Sequence, residues 1–510
     1  MASWSDGYVT DMQYTRHFHP ELAPAYLAFA CLRQSVRPPS LGPGSAYLEL
    51  GCGQGFGLNL LAAANPDQQF WGVDFNPAQI ANAARLAAEA GTSNVTFEDL
   101  SFAQVLELPD GRLPKFDVIA LHGVYSWVNA ENRAAVVRIL DRLLKPGGLA
   151  YVSYNCLPGW SANASLQSFI RQHAAQGAGD TGARIRAALQ AAQQMQDGGA
   201  KYFESAPTLK RRIEDALKRP PEYLAHEYLN EGAEPLFSAD VARQMAQARL
   251  SLAASANAAD DYVHLAAPGP LQEMIQASSD RTWRETLLDY AGNKIFRRDI
   301  FVRGMNPLSA RERTAVLAGL RFTLLVPADR IGLEFPIPLG SLTGNPKLYG
   351  PLIESLTEGP KSFDELMQRA DLAAAGETAV VQALALLTGR HQAHPLAPSH
   401  DGRAAAAFNR AALRQMAFDE PPQHLAAAAA GTGVRLDFEE MLGAASVLAG
   451  EDDPQAMARQ GWEALARSGR RLRKDGTLLH DQAANEAELL ERLARFREAR
   501  LPLLRTLGVL

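Results

Sequence analysis

The residues able to do chemistry gather first in 46–57, AYLELGCGQGFG, where glycines stand at 51, 53, 55 and 57 directly after the β-compatible Tyr47, Leu48 and Leu50. Glycines at alternate positions let a backbone turn tightly out of a strand, and they leave no Cβ where a ligand must lie against the main chain. The G-x-G-x-G spacing is tighter than the G-x-G-x-x-G that seats a pyrophosphate on a helix N-terminus. Glu49, two places before the first glycine, favours a ligand with a cationic end and no phosphates. A plain glycine turn leading into the apolar helical stretch 58–64 would give the same spacing.

Two further acids fall in register with this loop. A strand-like run at 69–73 ends at Asp74, placed to accept both ribose hydroxyls of a nucleoside. A third run, 95–97, is followed by Asp99, placed to accept an adenine amino group. Either acid alone would also serve as a helix N-cap. A fourth run, 116–122, carries LHGVYSWV; a helix spans about 130–144 and stops at Lys145-Pro146-Gly147-Gly148; a fifth strand runs 149–154. Five strands alternating with helices predict a parallel sheet with ligands at the strands' carboxyl ends. S-adenosylmethionine, an adenosine with a cationic end and no phosphate, fits. Its expected contacts are Glu49, Gly51, Gly53, Gly55, Asp74, Phe75, Asp99, Leu100 and His122.

ELGCGQGFG, Asp74, Asp99 and LLKPGG resemble the class I S-adenosylmethionine-dependent methyltransferases. More narrowly, LHGVYSWV (121–128), SYNCLPGW (153–160), YLAHEYLNE (223–231) and FRRDIFVRG (296–304) resemble bacterial methyltransferases carrying a methyltransferase regulatory domain. That family includes protein-lysine methyltransferases acting on outer-membrane proteins. The resemblance covers roughly 8–310, and 233–237 departs from the aromatic-rich stretch expected after YLNE. It implies a Rossmann-like α/β fold with a seven-stranded sheet, a methyl donor as cofactor and a protein lysine as acceptor. In similar enzymes the N-terminal segment covers the cofactor, which makes Tyr14 a contact.

Methyl transfer needs a nucleophile held in line with the methyl in a pocket closed to water, and an amine or hydroxyl must also lose a proton. Candidates lie at the carboxyl ends of strands four and five: His122, Tyr125 and Trp127, then Tyr154, Asn155 and Trp160. The Asn155 carbonyl and Tyr154 hydroxyl are placed to orient an amine. Tyr125 is a second catalytic candidate, and the rings of Tyr125, Trp127 and Trp160 could hold a cationic side chain or simply pack the edge. His122 is the one imidazole at these edges, a base or a satisfied core histidine. His17 and His19 have no third ligand nearby in sequence, and no metal is expected. Arg297, Asp299 and Arg303 alternate onto one strand face, which reads as an ion-pair ladder.

The remaining sequence sets bounds. With 510 residues the chain exceeds one core, and the divisions expected are 1–310 (with a helical insertion at about 161–235), 311–400 and 401–510. The insertion reads as a lid or a dimerisation arm, so a homodimer fits. The last two sheet strands are expected at 262–265 and 300–303. A net charge of −6 argues against a nucleic-acid surface. Cys31, Cys52 and Cys156 are too few for a disulfide framework, the N-terminus lacks a signal-peptide pattern, and no stretch suits a membrane span; a cytoplasmic protein is expected. Beyond 310, residues 345–397 follow a winged-helix-like order ending in a hairpin. Its third helix, 377–388, has no Lys or Arg to meet phosphates. The tail is helical, with Leu489, Leu493, Phe496 and Arg500 on one face. A small-molecule or glycan methyltransferase and a cofactor-binding scaffold remain the alternatives to a lysine enzyme.

Overall fold

The structure, a computed structural model, describes residues 17–397, 402–414, 422–467 and 469–510. One seven-stranded sheet organises residues 17–303. Its strands are β1 (Ala46–Leu50), β2 (Gln69–Asp74), β3 (Val95–Asp99), β4 (Phe116–Leu121), β5 (Leu144–Asn155), β6 (Leu250–Ser255) and β7 (Phe296–Arg303), in the order 3-2-1-4-5-7-6. The first five are parallel, and β7 lies antiparallel between β5 and β6. Residue alternation divides the sheet cleanly. Tyr47, Val118, Ala120 and Tyr151 face a core shared with helices α1 (Pro24–Arg33) and α2 (Phe56–Ala64). Leu48, Leu50, Ile119, Leu121, Val152 and Tyr154 face the opposite core, against helices 130–143 and 238–246.

Two expectations are corrected here. The sixth strand is Leu250–Ser255, whereas 262–265 forms a turn into the short helix Val263–Ala266. LSLAAS has no β-branched residue and reads weakly as a strand, while its pairing to β7 decides the matter. The fifth strand begins at Leu144 rather than 149: the Lys-Pro-Gly-Gly segment lies inside it, with a register shift against β4.

Between β5 and β6, helices spanning Ser161–Gln176, Thr181–Asp197, Lys201–Ser205, Thr208–Ala216 and Pro221–Tyr228 close over their own core of Leu166, Ile170, Ile185, Leu189, Leu209 and Ile213. The largely helical second half begins with a winged-helix-like module. Strand Arg321–Leu324 pairs with Lys361–Ser362 on one side and Ala393–Pro395 on the other. The expected terminal hairpin is therefore a single strand closing back on 321–324, and the hairpin of this region, Glu334–Thr343, comes earlier. Helix Glu377–Gly389 buries Val380, Leu384 and Leu387, so it is a core element.

Leu489, Leu493, Phe496 and Arg500 are all buried, and Arg500 donates to the carbonyls of Leu325 (2.7 Å) and Arg435 (3.0 Å). The hairpin His424–Ala427/Thr432–Arg435 lies against α2, where Asn65 donates to Gly431 O at 2.9 Å. A Cβ on Gly433 would sit 2.6 Å from the Phe18 ring, so only glycine admits this approach.

The ion-pair ladder on β7 is present. Buried Arg297 meets Asp299 (3.0 Å), Asp289 (2.6 Å) and Glu285 (2.8 Å), and Tyr154 Oη donates to Asp299 Oδ2 at 2.6 Å. Removing the cation strands three carboxylates in a closed space. Arg297→Met is expected to lower unfolding free energy by about 3–5 kcal/mol in chemical denaturation; a loss below about 1 kcal/mol, the scale of a solvated pair, would contradict this arrangement.

Candidate active site

The sheet reverses its order between β1 and β4, and the crevice outside their carboxyl ends is where open α/β sheets take ligands. The glycine loop forms one wall. Gly51, Gly53 and Gly55 adopt φ of +73°, +54° and +65°, the left-handed region that side chains resist. Space is as demanding as conformation. A Cβ on Gly51 would lie 2.6 Å from Val124, and one on Gly55 would lie 2.4 Å from Ala83 and 2.7 Å from the Phe97 ring.

Asp74, at the end of β2, is 8 % exposed and fastens the loop: Gly53 N–H donates to Oδ2 and Asn76 N–H to Oδ1, each at 3.0 Å. Burial raises its carboxyl above the usual range; the two backbone donors oppose this and Asp99 adds to it. Each oxygen keeps a second lone pair for a hydroxyl donor. Asp99 pairs with Asp74 in the β2–β3 register and stands exposed at the lip, with Leu100 and Phe75 half-buried beside it. Glu49 is held up to about 8 by burial and then by Asp74. Among the described residues no cation stands beside these two acids, which suits a cationic ligand.

His122 follows β4 directly. Its Nδ1 lies 2.9 Å from the Tyr151 hydroxyl, and the His19 ring stacks on it with centroids 3.6 Å apart and planes 23° from parallel. His19 comes from an N-terminal strap whose backbone crosses Gly57, where a Cβ would meet His17 O at 3.5 Å. Two residues on, Glu21 is buried and pairs with Arg298 of β7 at 3.0 Å. Burial would raise the Glu21 carboxyl, but Arg298 and the histidines outweigh it and hold it at about 2. Burial also pushes both rings below the ordinary imidazole range, His122 well below.

Of the residues expected at this edge, His122 alone meets the strap. Tyr125 and Tyr154 are corrected: both are fully enclosed in the core on the opposite sheet face, with hydroxyls given to Gln244 (2.5 Å) and Asp299 (2.6 Å). Proximity to a strand's end had placed them, whereas alternation puts Tyr151 on the ligand face and Tyr154 behind it. Asn155 is buried, its backbone N–H donating to Ser126 Oγ and its backbone carbonyl accepting from Leu236 N–H. Trp127 is half-buried. Trp160 is 6 % exposed beneath the Arg212 guanidinium at 4.4 Å, so it holds a cation of the protein itself. Tyr14 lies outside the described residues. Glu21, Arg298 and Tyr151 escaped the sequence reading, in which His19 entered only as a metal-ligand candidate. The signal for Arg298 was the alternation that sent 297, 299 and 303 the other way.

Comparison with known proteins agrees with this geometry. Residues 48–150 match the family model described as a methyltransferase domain, and residues 220–303 match one described as a predicted methyltransferase regulatory domain. The uncharacterized protein sll1526 of Synechocystis is 36 % identical over 513 residues, covering 99 % of this chain and 100 % of its own. PKMT2 from Rickettsia typhi, solved in complex with AdoHcy, superposes with a TM-score of 0.71 at 20 % identity, covering 97 % of this chain and 100 % of its own. Sheet order, glycine loop and these matches define a Rossmann-like methyltransferase fold. The chain belongs, with sll1526, to the methyltransferases that carry a methyltransferase regulatory domain.

Gly55→Ala combines a left-handed φ with contacts at 2.4 and 2.7 Å. Thermal and chemical unfolding should show a loss of about 2 kcal/mol or more, together with weakened AdoHcy binding. Wild-type stability in this variant would contradict the described loop.

Proposed function

We propose that the enzyme transfers methyl groups to lysine side chains of proteins, with the cofactor held by Glu49, Gly51, Gly53, Gly55, Asp74, Asp99 and Leu100. The donor set suits it. The glycine wall admits an adenosyl group against bare backbone, Asp74 has lone pairs spare for the ribose hydroxyls, and Glu49 offers charge to an ammonium. When bound, S-adenosylmethionine supplies a methyl carbon already activated by its sulfonium.

What remains for the chain is to place the acceptor, exclude water and accommodate a proton. The observation that carries the lysine reading is the pair of rings at the β4 edge, His19 and His122, kept below the usual imidazole range by burial. An ammonium must lose a proton before its nitrogen can attack, and neutral imidazoles are suited to accept it. The family resemblance, which includes protein-lysine methyltransferases, supports the same acceptor. The reading carries with it a cytoplasmic enzyme; among the described residues no helix is long and apolar enough to cross a membrane.

Incubating the protein with radiolabelled cofactor and a lysate tests this. Label should appear on polypeptide and vanish when lysines are acetylated beforehand. Label confined to small solutes would instead support a small-molecule or glycan acceptor, and none at all despite tight cofactor binding would support a scaffold.

Two cofactor predictions follow from the same residues. Asp74→Ala should weaken AdoHcy binding by about 2–3 kcal/mol in calorimetry; unchanged affinity would remove the ribose assignment. Glu49 takes a proton with a value of about 8 in the free protein and must release it to face the cofactor's ammonium. Affinity should therefore rise with pH until about 8 and level off above it, and Glu49→Gln should flatten that rise. A wild-type affinity independent of pH over this range would sink the role given to Glu49.

A further inference from the structure

We infer that His19 is the group that takes the proton from the incoming amine, with Glu21 and Arg298 as the pair that positions it. This rests on the lysine reading above. Two imidazoles share the β4 edge, and their surroundings separate them. His122 has its Nδ1 engaged by the Tyr151 hydroxyl and its ring walled by His19 at 3.6 Å, Tyr151 at 5.9 Å and Phe296 at 6.1 Å. His19 and His122 are both half-buried, so either ring has a way out to water, and what separates them is the Nδ1 of His122 engaged by Tyr151.

Every element packed around His19 contributes a titratable or charged group. Glu21 follows on its own turn, His17 precedes it on the strap, Arg298 comes from β7, His122 from the end of β4, His391 from the loop before strand Ala393–Pro395, and His424 from the C-terminal hairpin. Only Glu21 attracts a proton toward the ring. Glu21 cannot serve as the base itself, because Arg298 at 3.0 Å keeps its carboxyl at about 2, ionised at any pH where the enzyme works. The pair thus fixes a permanent negative charge beside an imidazole that is neutral at rest, and an imidazolium formed at His19 is met by that charge.

The nitrogen and carboxylate atoms of His19, Glu21 and His122 lie within 4.8 Å of one another, close enough for a metal. The near-parallel stacking sets the ring lone pairs side by side rather than converging on one point. The geometry handles protons better than it would hold a cation.

The step balances as follows. An N–H bond of the lysine ammonium breaks, the pair stays on nitrogen and the proton goes to an imidazole nitrogen of His19. The amine pair then forms the N–CH3 bond while the C–S pair passes to sulfur. The sulfonium's charge ends on the methylated ammonium, and His19 returns its proton to water.

The test follows methyl transfer from tritiated S-adenosylmethionine to the lysate polypeptide that the wild type labels, from about pH 6.5 to about pH 10.5, spanning the ordinary imidazole and lysine values. His19→Gln should be about 100-fold slower near neutral pH, with AdoHcy affinity unchanged. Its deficit should close toward the alkaline end, where lysine loses its proton unaided. His122→Gln should slow transfer by the same factor at every pH. Independently of turnover, the 15N resonances lost in His19→Gln should report a neutral ring at neutral pH in the wild type. The inference is overturned if the His19→Gln deficit is constant with pH, if AdoHcy affinity falls in step with the rate, or if that ring is protonated at neutrality. Polypeptide labelled with parallel pH profiles would leave the lysine reading standing and remove only His19; label in small solutes alone would remove both.

Discussion

The backbone turn from β1 into α2 is the constraint on which the rest of the structure depends. Three consecutive alternate residues hold positive φ, and at two of them a methyl group would collide with Val124, Ala83 or Phe97. The turn is fastened from neighbouring elements, by Asp74 accepting from Gly53 and by Asn59 donating to the Gly55 carbonyl. An acid used in this way is desolvated and raised, as is Glu49 beside it. The proposed cofactor, presenting hydroxyls and positive charge and no phosphates, would give both acids a partner.

The second half of the chain supports this turn from the far end of α2. Asn65, which caps that helix, donates to Gly431 of the C-terminal hairpin, and Gly433 of the same hairpin receives the Phe18 ring. Phe18 lies between His17, whose carbonyl passes over Gly57, and His19, which stacks on His122. A strap of three residues is therefore gripped between the glycine loop and a hairpin more than 400 residues later in sequence. Arg500 then ties that hairpin to the winged-helix-like module through the carbonyls of Arg435 and Leu325. The glycine at 433 has the same physical reason as the glycine at 55: another part of the chain occupies the space a Cβ would need.

Much of this was legible in the sequence, and what was not has identifiable causes. The first four parallel strands, the glycine loop and the acids at 74 and 99 announced themselves because glycine and acid spacing is local. The helical insertion broke where its Gly-rich segments lie, and the buried face of Leu489, Leu493 and Phe496 followed from period alone. Tyr125 and Tyr154 were misplaced because a strand's end says which edge a residue reaches but not which face it takes. β6 was missed because LSLAAS is held by its neighbour rather than by its own propensity. The pairing of His19 with His122, and of Glu21 with Arg298, joins residues more than 100 and 270 positions apart, a distance no local pattern spans.

The most direct measurement is a crystal structure with AdoHcy soaked in. The account predicts the adenosyl group against Gly51–Gly55, the ribose hydroxyls on Asp74, the amino end toward Glu49 and the sulfur facing the His19–His122 stack. A nucleoside bound away from the β1–β4 crevice, or a sulfur turned from that stack, would contradict it.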